Sequence, residues 1–333
     1  APSFISKTAQ TSGLVSELAR TSPINSDGFE VEPAGSVHNY ADIYKPRLET
    51  LCNRDGLYFA DAVKNWSKDF LEYDLMPWQY YVATGLLAHD ANGDLLHRQG
   101  LLSVARQNGK SFLLASIVGF WATVMPKLRG KPQTIITTSH RLDTALELFN
   151  LVAPILEKEF GAILTWAVGR NEANMPDGTR WLVRAATPTS FHGLTADLVC
   201  IDELWAVSPD AVSVGLLPTM RTRKSPLLFM TSTAGDESSR EMQRWQEQGL
   251  RAIDEKKTSS LYYACYSPSS DIDPMTPAAW IKANPALGQT LTLEVIAAEA
   301  EQPNRNAFLR SSVNLWTASA NGWLQPGIFD KLV

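Results

Sequence analysis

Three cysteines in 333 residues, Cys52, Cys200 and Cys265, are too few and too widely spaced for a disulfide framework or a zinc site. They point instead to a reducing compartment. The five histidines show no metal-ligand spacing. No apolar run reaches the ~20 residues that a membrane helix needs. The longest, Phe112 to Met125, reads as a helix buried on a sheet. A secretory pattern and internal repeats are also missing. So is an excess of positive charge: the formal net charge is −5. The chain is no bulk polycation, and any nucleic-acid contact must come from a local patch or from a ring that concentrates a few basic residues.

What is present is the composition of a globular protein, 44% hydrophobic and 20% charged, at a length that suggests about two domains. Its most informative stretch is Ser103-Val104-Ala105-Arg106-Gln107-Asn108-Gly109-Lys110-Ser111. An apolar strand (Leu101, Leu102, Val104) leads into it, and an apolar helix leaves it at Phe112. The backbone N–H groups of such a loop, from Gln107, Asn108 and Gly109 onward, can ring a phosphate. A lysine at the position of Lys110 reaches the β- and γ-phosphates, and a serine at that of Ser111 can hold Mg²⁺. The ligand expected is a nucleoside triphosphate. The first glycine of the usual pattern is replaced by Val104. A simple helix cap by Ser111 is the competing explanation.

Three further segments bear on this choice. In Leu198-Val199-Cys200-Ile201-Asp202-Glu203 an apolar run ends in two carboxylates. Such a run predicts a strand buried on both faces, with Asp202 at its C-terminal tip. Asp202 would support Mg²⁺, and Glu203 would orient a water for attack. In Leu227 to Gly235 a second apolar strand ends in Thr231, Ser232 and Thr233, which could sense the γ-phosphate and couple hydrolysis to the fold. A hydroxyl-capped turn is the alternative there. Upstream, Met76-Pro77-Trp78-Gln79 offers a glutamine able to make two bonds to an adenine edge, or else a helix start with a core tryptophan.

Taken in order, these segments resemble the ATPase domain of the large terminase subunit of tailed bacteriophages. The residues that carry the resemblance are Pro77-Trp78-Gln79, Ala105 through Ser111, Asp202-Glu203 and Thr231 through Gly235. His192-Gly193-Leu194 and Asn314-Leu315-Trp316 belong to it as well, over about residues 55 to 325. The resemblance implies an α/β P-loop NTPase fold with an added strand for the catalytic glutamate. It also implies a mostly parallel central sheet flanked by helices, and a small helical lid or linker. It implies an Mg²⁺-dependent ATPase that drives double-stranded DNA into a procapsid. The partners would be the portal protein, the small terminase subunit and a homo-oligomeric ring, a pentamer, docked at the portal in the host bacterial cytoplasm and away from membranes. Arg106 would add charge in the nucleotide loop, and a neighbouring subunit would contribute an arginine. Arg223 is the first candidate and Arg221 the second. A solvated turn or a DNA-backbone patch is the other explanation of that basic segment, and where some terminases have Arg-Gly this chain has His192-Gly193.

The expected domains are a flexible arm at 1–55, the ATPase domain at 56–266, and a lid or linker at 267–333. Strands are predicted at Thr134–Thr138, Ile163–Val168, Arg180–Ala185 and Tyr262–Tyr266. Helices are predicted at Tyr58–Tyr73, Asp143–Phe160 and Glu237–Lys256, the last as a solvated surface helix. Terminases also carry a C-terminal RNase H-like nuclease. Asp330 alone cannot build its two-metal site, so that domain is expected to be absent from this chain. A helicase-like translocase and a non-catalytic nucleotide scaffold are the rival functions. The first lacks a second lobe, and the second conflicts with the intact Lys110, Ser111, Asp202 and Glu203.

Overall fold

The computed structural model describes residues 43–167 and 170–317. Its eleven strands are β1 (Leu48–Glu49), β2 (Leu57–Tyr58), β3 (Ala88–His89), β4 (Gln99–Ser103), β5 (Thr134–Ser139), β6 (Ile163–Ala167), β7 (Arg170–Asn174), β8 (Arg180–Ala185), β9 (Leu198–Asp202), β10 (Leu227–Ser232) and β11 (Leu261–Cys265). The helices are α1 (Ala60–Trp66), α2 (Pro77–Leu86), α3 (Lys110–Thr123), α4 (Met125–Arg129), α5 (Leu142–Phe160), α6 (Arg240–Asp254), α7 (Pro277–Ala283), α8 (Leu293–Ala300) and α9 (Arg305–Ser311).

Nine strands form one sheet in the order β1-β11-β4-β10-β9-β5-β8-β7-β6. The six from β11 to β8 run parallel. Antiparallel β1 closes one side, and the antiparallel β6–β7 hairpin closes the other. The parallel strands are apolar on both faces because helices cover both. Their residues alternate between two cores: Leu198, Cys200, Leu227 and Phe229 join the cluster under α3 and α5. Val199, Ile201, Leu228 and Met230 join the cluster on the opposite face. The architecture is therefore a mixed α/β fold built on a large, mostly parallel sheet.

Several local expectations shift. Residues 43–55, expected as the end of a flexible arm, are part of the fold: Leu48 and Glu49 pair with Cys265 and Ala264 of β11. Residues 1–42 and 318–333, with Asp330, lie outside the described residues. The predicted helix at 58–73 is α1 followed by a π-helical turn, Ser67–Leu71. Left-handed Glu72 ends it. The strand expected at 163–168 is an edge strand over Ile163–Ala167, with Val168 outside the described residues. Its partner β7 reads as polar (RNEAN) and carries no strand signal of its own. The helix α6 is not purely solvated: Met242, Trp245 and Gly249 are buried, and Glu241 is held by the Trp245 indole at 2.7 Å.

The helix α3 shows how tightly the layers meet. It has no polar face over most of its length, and residues Leu113 to Thr123 are all buried. At Gly119 it lies directly under the Trp66 ring: a Cβ there would come within 1.9 Å of an indole carbon. The glycine is thus a packing requirement. Gly119→Ala is expected to cost about 1–3 kcal/mol through forced displacement of Trp66. A denaturant titration followed by tryptophan fluorescence measures this, and an unchanged midpoint would contradict the packing account.

Candidate functional site

In a parallel sheet the C-terminal ends of the strands are where loops gather and ligands bind. Here β4, β9 and β10 deliver the Ala105–Ser111 loop, the Asp202–Glu203 pair and the Thr231–Thr233 segment to that one edge. The strand β10 lies between β4 and β9, so the hydroxyl-bearing strand separates the loop strand from the acidic strand.

The loop is strongly curled. Gln107 and Gly109 both have left-handed backbones, with φ of 58° and 88°. Curls of this kind gather successive N–H groups into a concave anion site, and the loop opens onto the N-terminus of α3. Gly109 is required twice over: by its φ, and because a Cβ would lie 2.9 Å from the Gln79 amide nitrogen. Lys110 turns back onto the loop and donates to the Val104 and Ala105 carbonyls at 3.0 and 2.9 Å. Burial pushes its ammonium down to about 8, with Asp202 pulling the other way. An incoming anion would favour the charged form of this side chain.

The acidic pair is organised asymmetrically. Asp202 Oδ1 accepts from the Thr231 hydroxyl at 2.7 Å and from the Glu203 N–H at 2.9 Å. No hydrogen bond to Oδ2 is found among the described residues. Asp202 and Ser111 line a common small cavity of about 20 Å³, together with Thr137 and Thr138, room for about one water. A serine hydroxyl and a carboxylate facing one cavity are hard oxygen donors that suit Mg²⁺, which keeps several of its waters. Glu203 takes a left-handed backbone, φ 54° and ψ 50°, a conformation costing roughly 1 kcal/mol or more for a non-glycine residue. Its Oε2 meets His140 Nδ1 at 3.3 Å. His140 follows directly after β5 and was not among the residues singled out in the sequence. The signal available was a strand ending in Thr137-Thr138-Ser139, aligned with β9 so that Ser139 faces Asp202.

The remaining hydroxyls connect strands. Ser232 Oγ accepts from the Trp205 N–H at 3.1 Å, and the Ser232 carbonyl accepts from Val104 N–H at 3.1 Å. The Thr233 hydroxyl donates to the neighbouring Ala234 carbonyl, at 3.3 Å. All three hydroxyl residues are buried.

Several predicted ligand contacts are directed into the protein instead. Trp78 is fully buried and packs edge-on against Tyr266 at 5.6 Å, so it is a core residue and not a face for a base. Gln79 is also fully buried. Its Oε1 accepts from Met76 N–H at 2.7 Å and from Tyr73 hydroxyl at 3.1 Å, and its Nε2 donates to Gly109 O at 2.8 Å. As the N3 residue of α2 it caps that helix and holds the curled loop through Gly109, which leaves no carbonyl free for an adenine edge. The Asn108 side chain also turns inward, whereas the expectation for this residue concerned its backbone N–H. Its amide donates to Arg106 O at 3.0 Å and to Asn284 Oδ1 at 2.9 Å, and its Oδ1 accepts from Ala286 N–H at 3.0 Å. Arg106 and Gln107 remain exposed. Arg221 and Arg223 lie before β10, at the opposite end of the strands. The length of β9, roughly 16 Å, separates that edge from Asp202, so neither arginine completes the site of its own chain.

Two buried asparagines that spacing alone does not reveal lace this edge together. Asn284, after α7, donates to Trp280 O and Ser312 O at 2.9 and 2.8 Å while accepting from Asn108. Asn314 is left-handed, φ 54°. It accepts from Ala234 N–H at 2.5 Å and donates to Ser103 Oγ and Tyr266 O at 3.0 and 2.8 Å. It thereby pins the ends of β4, β10 and β11.

A family model described as the terminase large subunit, endonuclease domain, matches residues 255–333. The chain is 23% identical over 240 residues to the large terminase subunit of Enterobacteria phage HK97, covering 69% of this chain and 46% of that protein. The crystal structure of the HK97 bacteriophage large terminase matches with a TM-score of 0.65 at 20% identity, over 78% of this chain and 55% of the other. The chain thus spans about half the length of these relatives. The similarities relate it to the large terminases of tailed phages and show the shared fold. The expectation that nuclease sequence is absent does not hold. The endonuclease-domain match begins before β11 and takes in α7 to α9.

The loop's attachment to the helical segment is testable. Asn284→Ala removes an acceptor from buried Asn108 and is expected to cost about 1–3 kcal/mol. Amide exchange at Arg106 through Gly109 should rise more than exchange in β5. Unchanged loop protection would show that Asn284 does not anchor it.

Proposed function

We propose that this chain is the ATP-hydrolysing part of a large-terminase DNA-packaging motor, coupling ATP hydrolysis to translocation of double-stranded DNA into a procapsid. The observation that carries this is the convergence of Lys110, Ser111, Asp202 and Glu203 on one sheet edge, with β10 between the two strands that bear them. A glutamate beside the acid has a task in water activation, which a nucleotide kinase does not need. The kinship with the HK97 large terminase supports DNA as the polymer moved. The portal protein, the small terminase subunit and a ring of identical subunits are the proposed partners.

ATP enters with its phosphates on the curled loop and the N-terminus of α3. Lys110 leaves the Val104 and Ala105 carbonyls for the β- and γ-phosphate oxygens. Ser111 and Asp202 would hold Mg²⁺, which neutralises phosphate charge. Thr231 keeps the Asp202 carboxylate oriented, and Arg106 stands over the loop as a further positive charge. Glu203 orients the water for in-line attack and accepts its proton; ADP and inorganic phosphate are released. His140, at 3.3 Å from Glu203 Oε2, is a second polar group at this carboxylate. Thr231 and Ser232 touch the acid, the Trp205 backbone and the loop strand at once. They are the shortest route by which loss of the γ-phosphate reaches the fold.

Two substitutions separate binding from chemistry. Lys110→Ala is expected to abolish the rise in melting temperature that Mg-ATP produces in the wild-type chain. Glu203→Gln is expected to keep that rise and lose hydrolysis by at least ~10²-fold. Phosphate release near the wild-type rate in Glu203→Gln would remove Glu203 from its role.

A further inference from the structure

The edge of the sheet opposite the nucleotide loop has its own chemistry. Basic residues precede three of its parallel strands: Arg98 before β4, Lys131 before β5, and Arg221, Arg223 and Lys224 before β10. Arg129, from the end of α4, joins them. Arg129, Lys131 and Lys224 line one open groove of about 480 Å³, shared with Asn92, Asp94 and Ser225.

These cations are held in place, and only some of them by carboxylates. Arg98 and Arg129 donate to the main-chain carbonyls of Arg223 and Ser225, at 3.0 and 2.7 Å, and not to carboxylates. The Arg129 guanidinium also stacks on the Trp121 ring at 5.0 Å. Asp197, buried beneath, is shared by Arg223 at 3.4 Å and Lys131 at 3.9 Å. Asp94 pairs with Lys224 at 2.7 Å, and Asp90 stands at the same rim. Positive charge is therefore in excess here, on a chain whose net charge is −5. Arg98, Lys131, Arg221 and Lys224 are exposed.

We propose that this edge binds the phosphodiester backbone of duplex DNA. Fixed cations spaced along a groove neutralise phosphates without reading bases, which suits a motor that must move any sequence. Single strands are recognised by aromatic platforms on which bases stack. The groove's own aromatic side chains, Phe59 and His89, stack on each other at 4.0 Å with Phe59 buried, and the exposed Trp166 lies on the edge strand β6 and not on this surface. Arg221 and Arg223 thereby gain a role within their own chain that needs no neighbour. The proposal rests on the motor reading for the identity of the polymer. Placing the DNA surface and the nucleotide loop at opposite ends of the same strands means that a shift in β10 relative to β9 would be felt at both.

The test measures anisotropy of a labelled 30-base-pair duplex against the wild-type chain, the triple variant Arg98→Ala/Lys131→Ala/Lys224→Ala, and a control triple, Arg240→Ala/Lys282→Ala/Arg305→Ala. The control removes the same charge from exposed positions elsewhere. Removing three phosphate contacts should weaken binding at least about tenfold at 0.1 M salt and reduce the slope of log K against log salt by about 2 to 3. The control triple should keep most of the wild-type affinity. Equal affinity in wild type and patch variant, equal loss in both triples, or tighter binding of a single strand than of the duplex would each overturn the proposal. Mg-ATP stabilisation is recorded on the same samples. If it persists while the patch effect is missing, the surface assignment fails and the nucleotide site stands.

Discussion

A parallel sheet covered on both faces leaves only its two edges to meet water, and the rest of this structure depends on that constraint. Side chains along β9 and β10 alternate into two apolar cores and have no access to ligand. Polar chemistry is thereby forced to the strand ends. At the C-terminal edge the orphan N–H groups of α3 and the curled loop favour anions, and the carboxylates of Asp202 and Glu203 stand opposite them. At the N-terminal edge the turns carry arginine and lysine. One buried slab separates an edge that bears the loop and carboxylates from an edge that bears arginine and lysine.

This constraint also explains what was legible in the sequence. Continuous apolar runs such as Leu198–Ile201 and Leu227–Met230 announce buried strands, and the residues that end them announce the site. That Lys110, Ser111, Asp202 and Glu203 gather at one end of the sheet could be read this way, because their positions are set by strand ends. Gln79, Trp78 and Asn108 could not be assigned so simply. A glutamine three residues after a helix start has two possible partners, a ligand or the cap, and the chain took the cap. Asn108 sits one residue before Gly109 in the curled loop, yet its side chain turns toward a residue far along the chain. Local spacing carries no information on a contact of that sequence separation. His140 was hidden for the same reason, since its significance lies in β5 being placed beside β9.

The boundary near residue 267 was drawn where composition turns to Pro, Ser and Asp, but packing ignores it. β11 lies beside the loop strand β4, and Asn284, Ser311 and Asn314 bond directly to the loop and the strand ends. Composition reports where the chain can bend, not which side chains cross the bend. The endonuclease-domain similarity over residues 255–333 crosses the same boundary. Sequence that matches the endonuclease-domain model therefore packs directly against the Ala105–Ser111 loop.

That interweaving bears on how a chemical event could become movement. The N–H of Arg106 donates to Ser311 O at 2.8 Å, and Asn108 is held by Asn284 and Ala286. A loop that tightens around a phosphate must either carry those helical partners with it or break buried hydrogen bonds. Breaking them costs about 1–3 kcal/mol for each polar group left unsatisfied, so carrying them is the cheaper course. Asn314 adds a second constraint, because it ties the same segment to β10 beside Thr233. The helical segment is thus attached to both moving parts of the proposed reaction, the phosphate loop and the γ-phosphate strand. Its displacement follows from any change in their separation.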